Sequence, residues 1–361
     1  MYKKTVVFAA FTFILFSVIA SAQSAREFLP QTELFKRALA QSDLTPGDVR
    51  IDFEDMALWG GDKYRVSLLD VFFADPWKIS PYTRSLTDGL LKSDGDISAL
   101  TVSAHKRLDS GVRLGLIGDP LEAYRKRVEE LRGKNLAVAL AELTSHPEAE
   151  FKTVEYRNLP DPVRDAAALI LFAAPDVLHY RELALVEPIN RLKLNPDTVY
   201  RTVLDYVIVE WEEEEEEDEG LETMLLIESL LDNTDWTLLN TGATLIALAA
   251  QEARRMLTET DTTLFAQDFD FRVNTQLGYI VLSGASDGYY SSDDHLLIID
   301  TAGGEAYASC AANRSFDSPV SVCIDLGGDD TYRNEDATSP AFGAGVFGYS
   351  VLIDCAGDDS Y

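Results

Sequence analysis

A nine-residue motif that occurs three times constrains the fold of this chain more than any other feature. It reads IDTAGGEAY at 299–307, IDLGGDDTY at 324–332 and IDCAGDDSY at 353–361. Short apolar runs at 296–299, 320–324 and 350–353 lead into the three copies, and no helix-length segment separates one copy from the next. Repeats of about 20 to 30 residues in a fixed order indicate a stacked array. We therefore predict a C-terminal β-solenoid, specifically a parallel β-helix, over 261–361.

A degenerate fourth copy precedes the others at 281–289. Ser286, Asp287 and Tyr289 occupy the corresponding places, so that the aligned tyrosines fall at 289, 307, 332 and 361. A solenoid needs a capping unit at its end. Because the last motif ends with Tyr361, we expect further coils beyond this residue.

The region before the repeats is predicted to be mainly helical. Asp-Pro or Asn-Pro pairs, which favour a helix start, open segments at 121–132, 161–173 and 196–209. Two more helices are expected at 221–231 and 236–257, and a strand at 64–73. The predicted organisation is an α-rich N-terminal domain at 23–209, an acidic linker at 210–220, a helical pair at 221–260 and the solenoid.

The N-terminus carries the features of a signal peptide. Lys3 and Lys4 precede an apolar run over 6–19, and small residues follow up to Ala22. An uncleaved anchor is the alternative, but about 14 apolar residues fall short of the roughly 20 that span a bilayer. We predict a signal peptide over 1–22, cleavage after Ala22, and a secreted, periplasmic or cell-surface protein with no membrane insertion after cleavage.

Charge excludes several classes of partner. The chain has 61 acidic and 31 basic residues, a formal net charge of −30. Nucleic-acid binders and proteins that dock on anionic lipid need clustered Lys and Arg, so neither class fits. Nine of the ten residues at 210–219 are acidic, which is typical of a solvated loop or frayed helix, although a site for a cation or partner is the alternative. The odd number of cysteines allows at most one internal bridge, and the three otherwise serve as small apolar residues: Cys310, Cys323 and Cys355.

The acidic turns of the repeats are candidate calcium sites. Stacking would place equivalent carboxylates about 4.8 Å apart, where they repel by about 3 to 4 kcal/mol. Calcium prefers carboxylate and carbonyl oxygens and would relieve this repulsion. The alternative is that the acids only accept backbone N–H bonds within the turns, without a metal. The candidate ligands are Asp300, Glu305, Asp325, Asp329, Asp330, Asp354, Asp358 and Asp359.

The pattern I-D-x-G-G-D-D-x-Y, preceded by a glycine-rich F-G-Y segment, resembles repeats found in uncharacterised secreted bacterial proteins. This resemblance covers about the last 80 residues and implies no activity. The repeats are also similar in kind to the calcium-binding nonapeptide repeats of exported toxins and proteases. They differ because their glycines and aspartates do not form tandem nine-residue copies.

Two enzyme-like motifs do not have the required context. GASDG at 284–288 matches a nucleophile elbow, but no helix start follows it. GAGVFG at 343–348 matches a dinucleotide fingerprint, but a strand follows where a helix is needed. We therefore predict an exported, non-enzymatic structural or interaction module whose partner is an extracellular protein or polysaccharide. The alternatives are a carbohydrate-active β-helix enzyme of the calcium-dependent polysaccharide lyase type, and a scaffold whose helical domain binds another protein.

Overall fold

The computed structural model describes residues 31–45, 67–75, 78–93, 95–107, 122–208, 217–259, 266–291, 293–336 and 339–361. The predicted signal peptide, most of the acidic linker and the start of the predicted solenoid lie outside these residues. By its internal contacts the chain forms two compact units, one spanning Val18–Ser110 and the other containing Gly111–Tyr361. None of the described helices has the length and apolar character needed to cross a membrane.

In the first unit the described residues form helices. These are α1 (Gln31–Gln41), α2 (Ser67–Ala74), α3 (Ile79–Ser93) and α4 (Ile97–Arg107). The predicted strand at 64–73 is therefore wrong for its described part. Its apolar residues recur with helical as well as strand spacing, and Phe72 of α2 packs edge-on against Tyr82 of α3 with ring centroids 5.2 Å apart.

The second unit begins with helices that lead into two sheets. The helices are α5 (Glu122–Leu131), α6 (Leu136–Thr144), α7 (Glu148–Phe151), α8 (Val154–Asn158), α9 (Asp161–Arg181), a π-helical turn (Glu182–Val186), α10 (Glu187–Arg191), α11 (Pro196–Ile208), α12 (Glu217–Asn233) and α13 (Trp236–Thr258). The helices predicted at 121–132, 196–209, 221–231 and 236–257 are confirmed, each with ends within four residues.

Helices α9 and α13 pack on each other and form the centre of the helical layer. The predicted end of α9 at 173 is wrong, because the helix continues through Pro175 to Arg181. Its residues on both sides of Pro175 are buried, and this burial offsets the backbone hydrogen bond that proline removes. Asp235 caps the start of helix α13, and its carboxylate accepts the Leu238 N–H at 3.0 Å.

The strands form two sheets. They are β1 (Asp270–Thr275), β2 (Gly278–Ser283), β3 (Tyr289–Tyr290), β4 (His295–Asp300), β5 (Ala306–Ala308), β6 (Val320–Asp325), β7 (Thr331–Arg333) and β8 (Tyr349–Asp354). The larger sheet has the order β1-β2-β4-β6-β8, and the smaller has the order β3-β5-β7. All neighbours pair in parallel except β1 and β2, which pair antiparallel.

The predicted β-solenoid is wrong. The described residues contain a mixed five-stranded sheet and a small second sheet, and no closed coil. The physical reason is that helices α9 and α13 contact strands β4, β6 and β8. Helices therefore cover one face of the larger sheet, where a β-helix would place further strands. Each residue of β4 and β6 is buried, as expected for parallel strands covered on both faces.

The opposite face of the larger sheet packs against the smaller one. Ile298 and Cys323 from the larger sheet form one apolar cluster with Tyr307 and Tyr332 from the smaller sheet. Helix α13 approaches β8 so closely that a Cβ atom on Gly242 would lie 2.5 Å from the Tyr349 hydroxyl. The three layers are thus helices, five-stranded sheet and three-stranded sheet, and the acidic turns connect the two sheets.

Candidate metal centre

The repeats bring their acidic residues into register. Strands β4, β6 and β8 each end in an aspartate, and the pairing places Asp300 opposite Asp325 and Asp325 opposite Asp354. A glycine turn follows each of the first two, with φ of +142° at Gly303 and +149° at Gly327, a region that favours glycine. This agrees with the stacking of equivalent acids that the repeats predicted.

Three carboxylates meet beneath these turns. Glu305, Asp325 and Asp330 are all buried, and one oxygen from each lies within 4.8 Å of the others. Asp325 ends β6, whereas Glu305 and Asp330 occupy the same place in the turns of adjacent repeats. The stacking of two repeats is therefore what forms the cluster.

Hydrogen bonds satisfy only part of this cluster. Asp325 Oδ1 accepts the Gly327 N–H at 2.8 Å, and its Oδ2 accepts the Tyr307 hydroxyl. Asp330 Oδ1 accepts the Glu305 N–H at 2.5 Å, but its Oδ2 is buried and has no hydrogen-bond partner. Neither carboxylate oxygen of Glu305 has a donor, although only 2% of the residue is exposed. Buried polar atoms are normally hydrogen-bonded, so these oxygens need either a proton or a cation.

Electrostatics reinforces this requirement. Two full charges 4.8 Å apart repel by about 3.5 kcal/mol at an effective dielectric constant of about 20. If all three carboxylates were ionised, their three pairwise repulsions would together cost about 10 kcal/mol, which is comparable to the whole stability of a domain. No ion pair among the described residues includes Glu305, Asp325 or Asp330.

The pKa values respond to the same environment. Burial raises the pKa of Glu305 far above its usual range, and the charges of Asp300 and Asp330 raise it further. Burial likewise raises the pKa of Asp325, against the opposing effect of the Tyr307 hydrogen bond. Without a cation, these acids therefore favour their protonated forms. With a cation, the same oxygens become ligands, so the cluster can hold a metal ion.

The other predicted ligands have different surroundings. Asp300 is fully buried, but its carboxylate accepts the Tyr290 hydroxyl and the Ala302 N–H, the latter at 3.2 Å. Asp329 is exposed and accepts the Asp358 N–H at 3.1 Å, and Asp358 is exposed as well. The pair Asp329–Asp358 therefore matches the alternative in which aspartates only satisfy the turn backbone.

Asp354 and Asp359 form a more open version of the buried cluster. Asp354 accepts the Tyr361 hydroxyl through Oδ2, while its Oδ1 is buried without a partner. Asp359 accepts the Asp330 N–H at 3.0 Å. Burial raises the pKa of Asp354 to about 6.

The tyrosines have a role that the sequence alone did not predict. Tyr290, Tyr307, Tyr332 and Tyr361 stack face to face, with successive ring centroids 4.8, 4.7 and 4.6 Å apart. Their hydroxyls donate to the aspartates of the repeats. The signal was present, since a tyrosine follows the aspartate by seven residues in each clear copy. In the degenerate copy the equivalent residue is Tyr290, and the predicted Tyr289 is instead paired with Ala306 and exposed.

The cysteines do not form a bridge. All three are free, and the Sγ atoms of Cys310 and Cys323 lie 3.9 Å apart in the core between the sheets. Cys355 is exposed. Of the two interpretations drawn from the sequence, the role as small apolar residues describes Cys310 and Cys323.

Comparisons of this chain with protein-family models, with curated proteins and with solved structures find no match.

Proposed function

We propose that this is an exported, non-enzymatic protein in which Glu305, Asp325 and Asp330 bind calcium. The observation that carries the proposal is Glu305, which is buried against two other carboxylates with no hydrogen-bond donor on either of its oxygens. A divalent cation would neutralise two of the three charges and supply a partner for each unsatisfied oxygen. The bound ion would fix the turns that join the two sheets.

Calcium fits the ligand set better than other common cations. The cluster offers only carboxylate oxygens. Hard cations such as calcium prefer oxygen ligands of this kind, whereas transition metals have a weaker preference for them. Calcium accepts six to eight oxygens in flexible geometry, so backbone carbonyls and water can complete the shell. Extracellular sites of this kind have dissociation constants of about 10⁻⁴ to 10⁻³ M, which match the calcium concentrations outside cells.

The ordered turns would serve an interaction. The exposed acid Asp329 lies in the same turn as Asp330 of the cluster, and it accepts the N–H of Asp358, an exposed acid of the next turn. Calcium binding to the cluster would therefore determine how these exposed acids are presented. We propose an extracellular protein or polysaccharide as the partner.

Terbium luminescence tests the metal site directly. Tb³⁺ substitutes for Ca²⁺ in calcium sites. Tyr307, whose hydroxyl is hydrogen-bonded to Asp325, can transfer excitation energy to an ion in the cluster. We expect luminescence excited through tyrosine to rise to saturation, and added Ca²⁺ to reverse it.

Glu305→Gln removes a charged ligand and should weaken terbium binding at least tenfold. Asp329→Asn is the matched control, since it changes an exposed acid in the turn of the adjacent repeat and keeps an acceptor for the Asp358 N–H. The proposal fails if Glu305→Gln and Asp329→Asn have equal effects, or if the unaltered protein gives no saturable signal.

A further inference from the structure

Two of the three cysteines lie side by side in the core between the sheets. The Sγ atoms of Cys310 and Cys323 are 3.9 Å apart, and only 2% and 0% of the two residues are exposed. Both residues belong to the apolar cluster that contains Tyr307 and Tyr332. At this distance the two sulfur atoms are in contact, so no water or side chain separates them.

The two cysteines belong to different layers of the fold. Cys323 lies within β6, where it pairs with Ile298 of β4 and Leu352 of β8. Cys310 follows β5, which ends at Ala308 in the smaller sheet. A bond between the two sulfur atoms would therefore connect the smaller sheet to β6 of the larger sheet.

The backbone on both sides of Cys310 has an unusual conformation. Ser309 and Ala311 have φ of +62° and +49°, in the left-handed region that residues other than glycine seldom adopt. A hydrogen bond helps to hold this conformation, because Phe342 donates its N–H to the Cys310 carbonyl at 3.0 Å. Strained backbone of this kind is concentrated at functional positions. Here it holds the Sγ atom of Cys310 against that of Cys323.

The step from contact to a bond is short. A disulfide has an S–S distance of about 2.05 Å, so the sulfur atoms of Cys310 and Cys323 must approach by about 2 Å. Cys323 is held by strand pairing on both sides. Cys310 lies in the segment 309–319, which the structure describes throughout and which contains no strand. Most of the movement therefore falls to Cys310.

We propose that Cys310 and Cys323 close into a disulfide in an oxidising environment and so crosslink the two sheets. Cys355 takes no part, because it is exposed and lies outside the apolar cluster. The crosslink needs no metal ion and goes beyond the proposed calcium site. Its formation in the cell rests on the proposed export, because disulfides persist in oxidising compartments and are rare in the cytosol.

A small disulfide such as oxidised glutathione is the oxidant. One cysteine sulfur loses its proton, attacks a glutathione sulfur, forms a mixed disulfide and releases one glutathione. The second cysteine sulfur then displaces the other glutathione and forms the S–S bond of the protein. The two cysteine sulfurs lose two electrons, and their two protons end on the two released glutathione thiols. Because both cysteines are buried in the folded chain, the exchange takes place as the chain folds.

Refolding with glutathione tests the proposal. The full chain is unfolded in urea with a reductant, and is then refolded with chelator in oxidised plus reduced glutathione, or in reduced glutathione alone. Free thiols are blocked with iodoacetamide, and trypsin places the three cysteines on separate peptides by cleavage after Arg314 and Arg333. We expect mass spectrometry to find the Cys310 and Cys323 peptides linked in the first sample only, and a reductant to separate them.

The crosslink should also raise the melting temperature, which circular dichroism measures. Cys310 and Cys323 are 13 positions apart. A bridge that closes a loop of about this length restricts the unfolded chain, and for a unit of this size the expected rise is about 6 to 12 °C. Cys323→Ala should abolish the rise, whereas Cys355→Ala is the matched control and should keep it. Each variant is compared with its own reduced form, so any loss of stability from the substitution itself cancels.

Three results would overturn the proposal. These are the absence of a link between Cys310 and Cys323 in the refolded chain, an equal yield of links to Cys355, and a melting temperature that the link leaves unchanged or lowers. If the chain does not recover its circular dichroism signal on refolding, the folded chain is instead warmed with oxidised glutathione to just below its melting temperature, and the same link must form. All samples contain chelator and no terbium, so failure of the crosslink and failure of the metal site are distinguishable.

Discussion

Asp300 provides a sharp test of whether burial holds these carboxylates in their protonated form. The residue is fully buried, and desolvation raises its pKa to about 7. An aspartate in an unfolded chain has a pKa of about 3.9, and three pKa units correspond to about 4 kcal/mol. Asp300 lies outside the three-carboxylate cluster, but the nearby charge of Asp330 also raises its pKa, so the comparison is made in chelator.

The sign of the effect is opposite to that of an ordinary paired aspartate. Between pH 4 and pH 7 the folded state keeps a proton on Asp300 that the unfolded state has lost. The folded state therefore binds more protons, and stability falls as the pH rises through this window. From pH 5 to pH 7 the loss from this one group is about 2.3 kcal/mol. For a domain of this size, that lowers the melting temperature by about 5 to 9 °C.

Thermal unfolding followed by circular dichroism, in chelator at pH 5, 6 and 7, measures this loss. The comparison is between the unaltered protein, Asp300→Asn and Asp329→Asn. In Asp300→Asn the amide oxygen would still accept the Ala302 N–H and the amide NH2 would face the Tyr290 hydroxyl oxygen, to which it can donate, but the side chain carries no titrating group.

Glu305, Asp325 and Asp354 also have raised pKa values and keep part of the decline, so we expect Asp300→Asn to make it shallower by about 2.3 kcal/mol, and Asp329→Asn to leave it unchanged. If the unaltered protein and Asp300→Asn give parallel pH profiles, the reasoning from burial is refuted.

Four further substitutions test the packing of the second unit. Tyr307→Phe removes the hydroxyl that donates to Asp325 and should lower the free energy of unfolding in urea by about 1 to 3 kcal/mol. Arg181→Met leaves the carbonyls of Phe316 and Phe347 without their guanidinium donor, and a similar loss per carbonyl is expected in the same assay. Gly242→Ala should lower the melting temperature through the clash with the Tyr349 hydroxyl, and Tyr349→Phe should partly restore it. Tyr349→Phe alone should cost nothing, because that buried hydroxyl has no partner.

The parallel pairing of the repeats could be predicted from sequence because the motif itself encodes it. Each apolar run ends in Ile-Asp, and the same two residues align when the strands pair. The elements that pack on the second face of the larger sheet could not be predicted in this way. Six buried residues in a row at His295–Asp300 show that both faces are covered, but they do not say whether helices or strands cover them. The predicted solenoid would have strands on both faces, but helices α9 and α13 pack on one of them.

The site has one feature that the motif alone does not predict, which is the aspartate that faces inward. Asp329 and Asp330 are adjacent and chemically identical, yet Asp329 is exposed and Asp330 is buried beside two other carboxylates. Consecutive side chains next to a strand point to opposite sides, so one of the pair must face inward. The motif cannot say which, because that depends on where the second sheet lies. The inner position of the third clear copy, Asp359, is only half-buried. Metal affinity should therefore follow the depth of burial: it should be highest at Glu305, Asp325 and Asp330, and lower at Asp354 and Asp359.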